Sequence, residues 1–253
     1  MTVPLAPYLV LAVPLIMFVA TFIRSTLGFG EALVSVPMLA LLVPIQTATP
    51  LAVLVSVTVA LVVVVQDWRH VHLRSAGWMV VSSLLGIPLG LWLLKAAPDP
   101  LVKALLATVI LVFALYSLYQ GSRWELKDDR LAWVFGFAAG VLGGAYGMNG
   151  PPLAVYGTLR RWSPVRFRAT LQGYFLCASA LVLLGYLNAG LWTRTVSRYY
   201  LWSLPGLAVA VLLGRAANRR LAGPRFYRLV WGGLLLIGVV LLLEACGGLC
   251  GSW

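Results

Sequence analysis

Long apolar segments alternate along the whole chain with short polar or basic loops. Several of these segments reach about 20 residues, the length at which an α-helix crosses the hydrocarbon core of a bilayer. The pattern therefore predicts an all-α polytopic membrane protein with about eight transmembrane helices. The apolar segments comprise residues 4–23, 31–65, 77–94, 101–119, 131–159, 169–187, 199–214 and 229–243.

Two glycine-rich stretches interrupt this pattern. Gly28 and Gly30 come just before the segment that begins at Glu31, and residues 143–152 contain four glycines and end in two prolines. Glycine permits left-handed backbone, and proline fits only the first turn of a helix, so both stretches predict a broken helix. In a membrane, broken helices occur where the backbone lines a cavity.

The two interruptions correspond when the chain is compared with itself at a shift of about 120 positions, which lays Gly28 on Gly147. This correspondence predicts two four-helix repeats, each with a glycine-broken helix near the bilayer midplane, where transporters place their binding sites. The predicted organisation is a first transmembrane repeat, a hydrophilic linker and a second transmembrane repeat, at residues 1–119, 120–130 and 131–253.

Composition and charge agree with a membrane protein. Hydrophobic residues make up 61% of the 253 residues and charged residues 10%, whereas soluble domains carry roughly 25% charged residues. The net charge of +12 comes from basic residues in the short loops, as the positive-inside rule predicts, and we expect no nucleic-acid partner. The expected location is the cell membrane, with multiple spans, and specifically the inner membrane if the source is Gram-negative.

An anion site is predicted where the two interruptions meet. The start of an opened helix directs unpaired N–H groups and the positive end of its dipole toward a ligand. The alternative is that the glycines only allow close helix packing. The candidate substrate-binding residues in the two stretches are Gly28, Phe29, Gly30, Tyr146, Gly147, Met148, Asn149 and Gly150. Asn149 is also a candidate N-cap, and capping is slightly favoured over ligand binding.

Two ionisable residues flank the first interruption. A carboxylate such as that of Glu31 is costly inside an apolar segment and usually faces a polar cavity. We therefore interpret Glu31 as the proton-coupling residue: protonated, it tolerates a bound anion, and ionised, it repels one. The alternative is a water-exposed helix start. Arg24 is a candidate anion ligand, and its alternatives are snorkelling or pairing with Glu31.

The second repeat offers two further substrate-binding candidates. Arg168 could hold an anion with paired N–H bonds, or it could be one of the basic residues placed by the positive-inside rule. Gln172 lies one turn later on the same helix face, and helix packing explains such a residue equally well.

The motifs resemble the TauE/SafE family of sulfite and organosulfonate exporters, also called the toluene sulfonate uptake permease family. The resemblance implies movement of small anions, often sulfur-containing ones, passively or with protons and without ATP. Many members of that family have a third glycine where this chain has Glu31. The residues that carry the resemblance are Gly28-Phe29-Gly30, Val36-Pro37-Met38-Leu39, Gly143-Gly144, Gly150-Pro151-Pro152 and Arg168-Ala169-Thr170-Leu171.

The expected function is that of a secondary transporter of small anions such as sulfite or organosulfonates, with export as the first expectation. Alternating access around the midplane site would move the anion, with protons as a coupling partner. An anion channel is the alternative, since it would use the same pore residues. An intramembrane enzyme is a more remote alternative because the chain contains no catalytic or nucleotide-binding motif.

No cofactor and no metal are expected. His70 and His72 are two positions apart, a spacing that does not place them on one helix face. The expected partners are therefore a small anionic substrate, the lipid bilayer and protons, and a homo-oligomer is left open. The sequence does not choose the anion or decide between export and import.

Overall fold

The structure is a computed structural model that describes residues 7–67, 73–119, 126, 128–221, 232, 234–243 and 245–246. The regular secondary structure of this part of the chain is helical, which confirms the predicted all-α class. The helices are α1 Pro7–Leu27, α2 Glu31–Ala40, α3 Ile45–Asp67, α4 Leu73–Ala96, α5 Asp99–Leu118, α6 Ala132–Tyr146, α7 Gly150–Leu159, α8 Pro164–Asn188, α9 Arg194–Leu221 and α10 Leu234–Leu243.

Six of the described helices are long and apolar enough to cross a membrane, namely α1, α3, α4, α5, α8 and α9. Their outer faces are apolar: Leu11, Leu85 and Val112 expose 77%, 74% and 63% of their surface. Water would not cover so many large exposed apolar side chains on a monomer, whereas lipid does. The shorter apolar helices α2, α6 and α10 lie beside these spans in the chain order.

Left-handed glycines stand where the helical path changes. Gly28 and Gly30, between α1 and α2, have φ of 89° and 98°. Gly147 ends α6 with φ of 66°, and its N–H donates to the carbonyl oxygen of Gly143 at 2.8 Å. Side chains rarely adopt such values of φ, and a Cβ on Gly147 would also meet the side chain of Val53. Pro151 and Pro152 lie in the first turn of α7, where proline is tolerated.

Glycines let α4 and α6 approach until their backbones touch. A Cβ on Gly86 or Gly90 would collide with a carbonyl oxygen of α6, and one on Gly140 or Gly144 would collide with the backbone of α4. Small residues in rows of this kind give membrane helices their close van der Waals contact. The hydroxyl of Ser83 joins the contact by donating to the carbonyl oxygen of Gly136 at 2.9 Å.

The described helices form a continuous series of contacts that leads from one interruption to the other. Helix α6 packs on α4, α4 on α8, α8 on α3, α3 on α9, and α9 on α1. The short helices α2 and α7 pack on α3 and α6, respectively. Gln172 of α8 contacts Gly28 in the first glycine interruption, and Val53 of α3 lies against Gly147 in the second, so the two interruptions lie beside the α3–α8 pair.

The α4–α6 contact predicts a difference between two glycine substitutions on the same helix. Gly90→Ala should lower the thermal unfolding midpoint in detergent by about 3 to 10 °C, because the new methyl group overpacks the contact. Gly77→Ala is the matched control, since nothing lies within 4 Å of a Cβ at Gly77. Equal midpoints for the two variants would contradict the close contact.

Candidate functional site

A small cavity lies where the two interruptions meet. Its wall joins Gly30 and Glu31 at the start of α2 to residues 147–151 at the end of α6 and the start of α7. Helices α3 and α8 complete the wall with Ser56 and Phe175. The cavity has a volume of about 20 Å³, which is room for about one water molecule.

Arg24 is the centre of the polar groups at this cavity. Its side chain is buried near the end of α1 and 2% exposed. One terminal nitrogen donates to Glu31 Oε2 at 2.5 Å and to Ser56 Oγ at 2.8 Å, and the other donates to Gln172 Oε1 at 2.9 Å. A single guanidinium therefore connects α1, α2, α3 and α8.

Gln172 extends this network back to the first interruption. Its Nε2 donates to the carbonyl oxygen of Gly28 at 2.6 Å while its Oε1 accepts from Arg24. The carbonyl of Gly28 is left without a helical partner where α1 ends, so the glutamine satisfies an otherwise orphaned acceptor. The ring of Phe175, one turn along α8, lies 5.4 Å from the Arg24 guanidinium carbon and gives the cation an aromatic face.

Glu31 is the first residue of α2 and is 2% exposed. The water-exposed helix start considered for this residue is therefore wrong, and the pairing of Arg24 with Glu31 is the arrangement found. Oε2 accepts from Arg24, whereas Oε1 has no hydrogen-bond partner in the described part of the chain. The carboxylate thus has one oxygen held by the cation and one oxygen free to accept a proton.

Two buried side-chain donors at the cavity have no partner within hydrogen-bond distance among the described residues. They are Nε of Arg24 and Nδ2 of Asn149. An unsatisfied buried N–H costs free energy that a ligand oxygen would recover. Both side chains line the cavity, so the site offers donors to an anion from the first and from the second interruption.

Asn149 does not cap α7. It occupies the N-cap position, but its side chain makes no capping hydrogen bond, so the favoured capping interpretation is wrong. The side chain instead packs against the Cα of Gly143 in the last turn of α6, where a Cβ would lie 3.0 Å from its amide carbon. Pro151 and Pro152 also remove two N–H groups from the first turn of α7, so the Asn149 amide adds a donor where the helix start has fewer of its own.

Not every predicted site residue lines the cavity. Phe29 packs edge-to-face on Phe113 and Phe167, at ring distances of 6.4 and 6.0 Å. Tyr146 is buried, and its hydroxyl donates to the carbonyl oxygen of Val102 on α5 at 3.0 Å. The side chain of Arg168 lies outside the described residues. The predicted residues that do line the cavity are Arg24, Gly30, Glu31, Gly147, Met148, Asn149 and Gly150.

Ser56 and Phe175 were missed by reasoning from the sequence. Both belong to long helices that the hydropathy pattern marks only as spans. Ser56 and Thr58 are the two hydroxyl residues in the apolar middle of α3, which is the signal that could have marked Ser56. Phe175 follows Gln172 by three positions and therefore shares its helix face, but an aromatic residue in an apolar segment carries no signal of its own.

The described residues contain no group of three His, Cys, Asp or Glu side chains that could hold a metal ion. His70 and His72 lie outside the described residues. The candidate site is therefore built from a guanidinium, a carboxylate and two amides, a set that suits an oxoanion.

The buried ion pair predicts that removal of either partner is costly and that the two losses are not additive. Arg24→Met should lower the thermal unfolding midpoint by about 6 °C or more, because it leaves a carboxylate buried without its cation. Glu31→Gln should also lower the midpoint, because the guanidinium cannot lose its charge, and it should recover part of the loss when added to Arg24→Met.

An exposed ion pair supplies the control for this comparison. Arg130 and Asp128 lie 3.4 Å apart with 90% and 60% of their side chains exposed. Arg130→Gln should shift the midpoint by less than about 2 °C. Additive losses in the Arg24→Met/Glu31→Gln double variant would mean that the buried pair is not coupled.

Comparisons with known proteins bear on what this site does. Residues 13–241, which make up most of the chain, match the family described as Sulfite exporter TauE/SafE. A protein of Cupriavidus necator described as a probable sulfite/organosulfonate exporter TauE is 24% identical over 231 residues, and the match covers 89% of this chain and 90% of that protein. No solved structure matches the chain.

The family match extends over both interruptions and, apart from the first residues of α1, over the long apolar helices described above. It confirms the resemblance drawn from the glycine and proline motifs. The matched family is one of membrane transporters and not one of enzymes, in agreement with the apolar exterior of the described helices. The chain belongs to the sulfite exporter TauE/SafE family.

Proposed function

We propose that this chain is a secondary transporter that exports a small oxoanion, sulfite or an organosulfonate, across the cell membrane together with protons. The observation that carries the proposal is the buried Arg24–Glu31 pair at a cavity formed by both glycine interruptions. Membership of a sulfite exporter family supplies the substrate class. Export as the direction follows the family description and the description of the Cupriavidus necator relative.

Pairing of the helices supports two repeats, at residues 1–119 and 131–253, joined by the linker 120–130. In this arrangement α1 to α4 of the first repeat correspond to α6 to α9 of the second. Exchanging the two repeats turns the contact of α1 with α9 into the contact of α6 with α4, and it leaves the contact of α3 with α8 unchanged. The first half of each broken helix then packs on the fourth helix of the other repeat. Repeats that exchange helices in this way can rock against each other around a fixed central site.

The cavity is too small for sulfite as it stands, since it holds about one water molecule. Anion binding in this proposal therefore requires the two interruptions to move apart. The left-handed glycines Gly28, Gly30 and Gly147 are the hinge positions, because glycine changes its backbone angles at the lowest steric cost. The closed cavity is one stage of an alternating-access cycle.

Glu31 carries the coupling proton in this proposal. In the empty carrier its carboxylate occupies Arg24 and satisfies the buried cation. A proton on Glu31 weakens that ion pair and frees the guanidinium for the anion, with Asn149 as the second donor. Release of the proton on the other side restores the pair and expels the anion, so proton movement and anion movement are linked.

The polar side chains at the cavity are hydrogen-bonded to one another, and this arrangement favours a carrier over a channel. A channel needs a continuous polar path, whereas the guanidinium, carboxylate and amide groups here are buried and bonded to each other.

The first test of the proposal is uptake of labelled sulfite into proteoliposomes with and without a pH gradient. Wild-type protein should show saturable flux that the gradient stimulates, and Glu31→Gln should lose the stimulation because it has no titrating group at that position. Ser35→Ala is the matched control, since Ser35 is buried one turn along α2 and its hydroxyl has no partner among the described residues. Gradient stimulation that survives in Glu31→Gln would contradict the proton role.

A second prediction concerns Asn149 as an anion ligand. Asn149→Ala should raise the half-saturating sulfite concentration by about 10- to 100-fold, the effect of losing one hydrogen bond to a charged group. Stimulation by the pH gradient should be unchanged, because Glu31 is intact. Asn188→Ala, at the exposed end of α8, controls for loss of an asparagine as such. Unchanged affinity in Asn149→Ala would remove this residue from the site.

A further inference from the structure

The charges around the cavity are few and can be counted. Among the described residues that line it, Arg24 is the only cation and Glu31 the only anion. The remaining lining residues are neutral, and the two charged side chains are each 2% exposed. Water therefore does little to screen a charge imbalance at this site.

No other described titratable side chain lines the cavity from the helices that pack on α2. Helices α1, α3 and α5 are its neighbours. Asp67 ends α3, and its side chain is outside the described part. Asp99 on α5 accepts from the exposed Gln46. The other titratable residues of α1 and α5, none of which lines the cavity, are Tyr8, Lys103 and Tyr116.

The empty site is electrically neutral because the ion pair of Arg24 and Glu31 cancels. When an anion replaces the carboxylate on Arg24 and a proton joins Glu31, a singly charged anion again leaves the site neutral. A doubly charged anion leaves one negative charge buried without a partner, which is strongly disfavoured. The balance thus depends on the charge of the anion.

We infer that the carrier accepts singly charged oxoanions, each with one proton, and excludes doubly charged ones, so that its site is neutral both empty and loaded. The inference rests on the proposed function and names the charge class of its substrate. Hydrogen sulfite and organosulfonates share this single charge on a group of sulfur-bound oxygens. The sulfite dianion and sulfate do not.

The polar side-chain atoms without a hydrogen-bond partner at the cavity also suit one singly charged anion and one proton. Two side-chain donors lack partners, Nε of Arg24 and Nδ2 of Asn149, and one side-chain acceptor lacks a partner, Oε1 of Glu31. The donors accommodate the oxygens of a singly charged anion, and the acceptor takes the proton.

The response of transport to a membrane potential distinguishes a carrier whose site stays neutral from carriers that move net charge. Proteoliposomes with a fixed pH gradient receive a potassium diffusion potential of about 100 mV of either sign, set with valinomycin, and uptake of labelled methanesulfonate is measured. About 100 mV acting on one moving charge would change accumulation by up to about 50-fold. The neutral cycle predicts a change of less than about twofold.

Sulfate is the shape-matched competitor, because it has nearly the shape of methanesulfonate but carries one more negative charge. Sulfate in large excess should not inhibit uptake of methanesulfonate or of sulfite by the wild-type protein. Sulfite uptake should fall at alkaline pH as the dianion forms, beyond any fall seen for methanesulfonate, whose charge is constant.

Glu31→Gln should change the response to the potential but not the exclusion of sulfate. Its empty site keeps the charge of Arg24, so movement of a singly charged anion becomes electrogenic and accumulation follows the potential. Sulfate should still not inhibit, because a dianion beside the neutral glutamine again leaves one negative charge buried without a partner. Ser35→Ala should behave as wild type, which separates loss of charge from disturbance of α2.

Two results would overturn the inference. Wild-type accumulation that follows the potential would show that net charge moves, and inhibition by sulfate equal to that by unlabelled methanesulfonate would show that dianions bind. Either result leaves the proposed transport function intact. Absence of flux for every anion tested would instead overturn the proposed function, and the charge rule with it.

Discussion

The buried ion pair between Arg24 and Glu31 is the constraint on which the rest of the structure depends. A guanidinium in the apolar interior of a membrane protein is stable only with a partner and with its N–H groups bonded. Glu31, Ser56 and Gln172 provide that partner and those bonds from three other helices. The interaction holds the first interruption closed, and any change of partner on Arg24 alters contacts on four helices at once.

Close helix packing gives this pair a rigid frame. The glycines of α4 and α6 bring two backbones into contact, and Gly214 of α9 brings a third backbone against Ser25, next to Arg24. Helices without side chains between them have little room to rearrange. We therefore expect conformational change of the backbone to be concentrated at the left-handed glycines between α1 and α2 and between α6 and α7. The same residue type thus serves for packing at some positions and for freedom of the backbone at others.

Hydropathy and glycine placement predict the helical class, the membrane environment and the residues of both interruptions, because lipid imposes segment length and glycine marks irregular backbone. They do not predict which side chains meet. Arg24 and Glu31 were identified, but their pairing was only one of several alternatives, since it depends on the angle between α1 and α2. Ser56 lies 32 positions from Arg24 and Gln172 lies 148 positions away, and such contacts are set by the packing of long helices and not by local pattern. Asn149 was expected as a cap, and the two prolines after it together with packing on Gly143 place its amide at the cavity instead.

In this account the anion replaces the Glu31 carboxylate on Arg24, and Glu31 takes up a proton. The most direct test is to measure how many protons the protein takes up when it binds an anion. Purified protein in weakly buffered detergent solution is titrated with methanesulfonate, which does not itself change charge, while pH is recorded. Wild-type protein should take up about one proton for each anion bound, and Glu31→Gln should bind with no uptake. Anion binding to the wild-type protein without proton uptake, or equal uptake in the variant, would contradict the exchange of Glu31 for the anion on Arg24.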